Sequence, residues 1–172
     1  VSGLLWAILA FSGSLGMSRL YAAELEDQAL HGLRMAPISY EALFLAKQAA
    51  LFLTLLLCAL LCFPLAAMMF QAELALLWPK LLPVLLLALW GFSILGTLLS
   101  TLLLQYSFRE TLMPLLFLPL VFPLLIGGAR ATAALLGVGG IPQTFFWVRL
   151  LLSYDLIFFV AGLWLYRLQF EH

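Results

Sequence analysis

The sequence predicts an all-α polytopic membrane protein, a bundle of transmembrane helices. Three observations predict it. The 172 residues are 66% hydrophobic and 9% charged, where a soluble domain carries nearer a quarter charged. Mean hydropathy is +1.16, and apolar runs long enough to cross a bilayer recur along the chain. Lipid offers no partner to an unpaired backbone group and the alternating pattern of a barrel is missing, so the runs read as helices.

Five spans are expected. The first is Ser2–Ser18, and it opens almost at the first residue, Val1. It lacks the basic region of a signal peptide and reads as a mature span with something preceding it. The second is Ala42–Met69, holding Cys58 and Cys62 four residues apart. That spacing on a helix places sulfurs poorly for bridging, so the pair reads as packing residues. The third is Leu81–Leu104, introduced by Trp78-Pro79-Lys80 at the membrane interface and striped with Gly91, Ser93, Gly96, Thr97, Ser100 and Thr101. Small-residue stripes let helices approach closely. The fourth, Leu112–Gly128, contains Pro114, Pro119 and Pro123 and is expected to be kinked or broken. The fifth is Thr144–Tyr166, reached through Gly137–Pro142. That Gly-rich run reads as a loop, since no strand precedes it and no Lys-Ser/Thr pair follows.

Between the first two spans lies a polar island, Arg19–Lys47, RLYAAELEDQALHGLRMAPISYEALFLAK. It holds seven of the sixteen charges: Arg19, Glu24, Glu26, Asp27, Arg34, Glu41 and Lys47. On a helix over Leu20–Leu33, Ala22, Leu25, Ala29 and Leu33 form an apolar stripe, and Glu24, Asp27, His31 and Arg34 share the opposite face. Pro37 stops that helix. Ser39 is then an N-cap for the second span, with Glu41 in its first turn. An acidic surface helix is poorly matched to an anionic leaflet, which attracts basic helices. It fits a soluble protein with a basic surface, and so reads as a docking helix.

Loop charges set the orientation. With the island in the cytoplasm, that side carries Arg19, Arg34, Lys47, Arg109 and Arg167, and the other carries Lys80, Arg130 and Arg149. The C-terminus is then cytoplasmic too. Zero formal net charge argues against a nucleic-acid partner. The lipid bilayer is the partner that composition itself demands.

Inside the spans, Asp155 stands near the middle of the fifth. An ionisable group at that depth costs at least about 2.5–3.5 kcal/mol. Three readings stay open: a helix–helix hydrogen bond or a neutral acid, a part in transport, or pairing with a partner subunit. Arg149, six residues earlier, is off Asp155's face and can snorkel toward the outer interface. An intramembrane enzyme would need a nucleophile and base or a metal set within the spans. The two histidines, His31 and His172, sit in the island and at the terminus.

The stretch Gly3–Lys47, with Arg19-Leu20, Glu24, Asp27 and Leu30 ahead of Pro37-Ile38-Ser39 and Ala46-Lys47, resembles the CcmB family. Its members are the haem exporter B subunits of the cytochrome c maturation ABC transporter. LPLVFPLLIGGARAT, Leu118–Thr132, is similar to that family's proline-bearing segment. The resemblance implies an ABC-2-like exporter permease of six spans, of which five are present here and the first is missing, and one permease domain over residues 1–172 with a coupling-helix loop at about 19–41. It implies docking of a CcmA-like ATPase through Glu24, Asp27, His31 and Arg34. CcmC-like and CcmD-like membrane subunits and a CcmE-like haem chaperone are the further implied partners. Haem is the implied cargo, no cofactor is assigned to the chain itself, and the location is the bacterial inner membrane. The Gln105–Glu110 turn departs from the family pattern, with Arg109 its one basic residue. A related permease for a drug or a polysaccharide would present a similar surface helix. The chain has no Walker motif, so nucleotide chemistry falls to a partner.

Overall fold

The computed structural model describes residues 3, 6–11, 13, 14, 39–70, 78–103, 108–138 and 140–170. Among them there is no strand. Four long helices follow in order: α1, Tyr40–Phe70; α2, Trp78–Leu103; α3, Arg109–Ala133; and α4, Gly140–Phe170. Each contains a stretch long and apolar enough to cross a membrane: Glu41–Leu61, Pro79–Leu103, Thr111–Ala133 and Pro142–Leu168. The chain is a multi-pass helical membrane protein. The first expected span falls only partly within the described residues, where 6–11, 13 and 14 are helical.

The helices run beyond these stretches by one or two residues at most ends, and α1 continues from Leu61 to Phe70. α1 starts one residue after Ser39, whose Oγ accepts from the Ala42 N–H at 3.4 Å. That is the N-cap bond to the third helical residue, satisfying a donor the helix start would orphan. The helix then passes through Pro64 without ending. α3 contains Pro114, Pro119 and Pro123 and is one continuous helix, so of the two expected outcomes, kinked or broken, a break does not occur. A helix is the only arrangement that satisfies its remaining backbone groups in lipid.

α3 ends in a wide turn, Ala134–Val138, in which Gly137 adopts φ 101°. A side chain there would clash with its own backbone, which is why glycine ends the helix. Gly140, at φ 71°, already opens α4, so Gly140–Pro142 are helical and the expected loop over Gly137–Pro142 is shorter than the sequence suggested.

α2 is the central helix. In its most apolar stretch 72% of residues are buried, against 28%, 33% and 17% in α1, α3 and α4. Its small residues permit this. Ser93, Thr97, Ser100 and Thr101 are all buried, and each hydroxyl donates to a carbonyl of α2 itself, from Ser93 to Trp90 O at 2.7 Å and from Thr97 to Ser93 O at 2.8 Å. Ser100 and Thr101 both donate to Thr97 O at 2.8 Å. These four bonds all lie within α2, and small side chains let its neighbours approach closely.

Close approaches elsewhere also rest on glycine. The Phe44 ring of α1 lies where a Cβ on Gly162 of α4 would be, and it meets Tyr166 edge-on at 5.5 Å between centroids. Leu151 of α4 packs in the same way on Gly127 of α3. At the N-terminal helical residues, the Trp6 indole lies flat on Gly128 and donates Nε1–H to Thr132 Oγ1 at 3.1 Å. Cys58 is a free, exposed thiol.

Candidate functional site

The expected docking residues Glu24, Asp27, His31 and Arg34 lie outside the described residues, as do Pro37 and both histidines. What the structure does place is the point where the island joins the bundle. Ser39 caps α1, Glu41 occupies its first turn, and one turn on, Phe44 is fully buried against α4.

Asp155 projects from α4 into the bundle and is 3% exposed. Its carboxylate sits against Gly91 of α2, where any added Cβ would overlap Oδ1. Only glycine leaves room for it. Among the described residues, neither carboxylate oxygen has a hydrogen-bond partner. The neighbouring Tyr154 does not serve it, because that hydroxyl donates to Leu120 O of α3 at 2.5 Å. Arg149 does not serve it either. Its guanidinium lies over the Phe145 ring, 5.4 Å from the centroid, one turn nearer the start of α4.

A cavity of about 290 Å³ opens beside the carboxylate, lined by Leu87 and Trp90 of α2 and by Leu152, Asp155, Leu156 and Phe159 of α4. Trp90 and Phe159 stand with ring centroids 6.4 Å apart and a 37° tilt. Phe52 of α1 braces Trp90 edge-on at 5.5 Å. The structure therefore gathers one acid and an aromatic pair at mid-span.

A second buried polar group went unmarked in the sequence. Gln48 of α1 is 1% exposed, and neither polar atom of its amide has a hydrogen-bond partner among the described residues. It lies one turn from both Phe44 and Phe52 on the face that meets α2 and α4. The available signal was a lone amide just inside an apolar run, masked by its position beside the island's last charge, Lys47. Among the described residues, no three His, Cys, Asp or Glu side chains come together as a metal set.

A family model described as CcmB protein matches residues 1–161. A curated relative, "Heme exporter protein B" of Rhodobacter capsulatus, is 36% identical over 130 residues, covering 75% of this chain and 59% of the relative. The chain thus spans less than two thirds of that relative's length. No solved structure matches it.

Proposed function

The chain belongs to the CcmB family, and on that footing we propose that it is a membrane permease subunit of an ABC transporter required for cytochrome c maturation. In this reading it serves haem export or the release of a haem-loaded chaperone. The observation that carries the reading is the family match over residues 1–161, and the name of the 36% identical relative, a haem exporter, supports it. Residues 1–172 act as one permease domain in the bacterial inner membrane, with the island and the C-terminus in the cytoplasm. ATP is hydrolysed by a separate CcmA-like subunit, and CcmC-like, CcmD-like and CcmE-like proteins are the other partners.

Coupling enters through the island. Glu24, Asp27, His31 and Arg34 face the ATPase across the loop at about 19–41. Motion of that loop reaches the bundle at Ser39, because the cap ties the loop's end to the first turn of α1. Phe44, seated on Gly162 and Tyr166, passes displacement of α1 to α4. Packed interfaces of this kind switch between discrete arrangements rather than deforming smoothly, so a rigid knob at the head of α1 suits a lever.

Charge reversal of Glu24 and Asp27 together is expected to abolish co-purification of the ATPase while the protein still inserts in the membrane. Unchanged co-purification would remove the docking surface from this scheme. For the cargo, deleting the gene should eliminate c-type cytochromes, with recovery from an intact copy. Normal cytochrome c levels in the deletion strain would point to a different cargo.

A further inference from the structure

We propose that the groove between α2 and α4 is a binding site for a hydrophobic organic cation, a molecule carrying one shielded or delocalised positive charge on an apolar body. The site is distinct from the docking surface and does not rest on the transporter reading. Its chemistry follows from its walls. Asp155 is 3% exposed, lines the groove and has no hydrogen-bond partner at either oxygen among the described residues. A carboxylate so placed in a membrane span calls for a compensating group, and Tyr154 and Arg149 are engaged elsewhere. Trp90 and Phe159 supply ring faces that attract a cation, and Leu87, Leu152 and Leu156 exclude the water that would otherwise weaken both attractions.

Depth and shape select among cations. Asp155 lies thirteen residues from each end of the span Pro142–Leu168 (155 − 142 and 168 − 155), about 20 Å of helix either way. A lipid headgroup ammonium does not reach that depth. The α4 wall runs from Leu152 to Phe159, about 10 Å of helix, which is the size of a small molecule. A docked transmembrane helix would instead need a seat along the whole span. Access is lateral, since Leu152 and Leu156 at the rim are exposed on the outer face of the bundle.

The test uses the full chain in zwitterionic-lipid nanodiscs, titrated with tritiated tetraphenylphosphonium against empty nanodiscs. Saturable binding is expected, weakened on the order of tenfold or more by Asp155→Asn, which removes one partner of a desolvated charge pair. Leu156→Trp changes only an exposed rim residue, so it should keep wild-type helicity and elution volume and still block the groove. Tetraphenylborate, of equal size and opposite charge, should not bind saturably. Equal saturable binding of the borate, or cation binding unchanged in both variants, would overturn the proposal. So would a wild-type chain that binds no cation and loses a membrane partner on Asp155→Asn, which would make the groove a seat for a partner helix.

Discussion

Two polar regions of the bundle behave in opposite ways. Along α2, four hydroxyls at Ser93, Thr97, Ser100 and Thr101 are buried and bonded, each to a carbonyl of its own helix. On α4 and α1, the Asp155 carboxylate and the Gln48 amide are buried to the same degree and have no hydrogen-bond partner among the described residues. The difference lies in reach and valence. A hydroxyl has one proton and sits within range of the carbonyl three or four residues back. A carboxylate has only acceptors, and a helix interior offers it no donor. Hydroxyls can therefore line a helix interface as packing residues, whereas an acid keeps an unmet demand that points away from its own helix.

The largest test of this contrast is Gly91→Leu. The new side chain would displace both Asp155 and Leu124, and overpacking of this severity should destabilise the bundle by about 3 kcal/mol, read from reversible unfolding in mixed detergent micelles. A cost near zero would mean that the carboxylate is not seated on Gly91. Next in size is Gln48→Leu. Removing an unsatisfied buried amide should stabilise the isolated chain by about 1–2 kcal/mol in the same assay. A loss of stability instead would show that the amide already has a partner and belongs with the hydroxyls. The smallest is Thr97→Val, which deletes one bond within α2 and should cost about 0.6 kcal/mol. A cost matching that of Gly91→Leu would erase the distinction between the two regions.

The four described spans were legible because hydropathy alone reports them, though each helix extends past its apolar stretch by a turn or less at most ends. Ser39 was legible as a cap because the signal is local. Pro114, Pro119 and Pro123 misled in one respect. They suggested a possible break, whereas the demand for internal hydrogen bonding in lipid keeps α3 continuous. Asp155 announced itself as an acid in an apolar run. Its seat on Gly91 did not, because the register of α2 against α4 is set by packing across 64 residues of sequence (155 − 91) and leaves no local pattern. Gln48 was hidden by the charged neighbour at its side. The island residues Glu24, Asp27, His31 and Arg34, which dominate the sequence-based reading, lie outside the described structure.

The bond from Trp6 to Thr132 joins residues 126 positions apart, which has a consequence for biogenesis. At roughly 5–20 residues per second of synthesis, the indole emerges some 6 to 25 s before its acceptor exists. During that interval the amino-terminal helical residues have no Gly128 shelf to lie on and no hydroxyl to receive their proton. The ribosome must deliver α1, α2 and most of α3 before the clasp can close. Closure of the Trp6 clasp is thus a clock mark in assembly, set only after three further helices have been threaded into the bilayer.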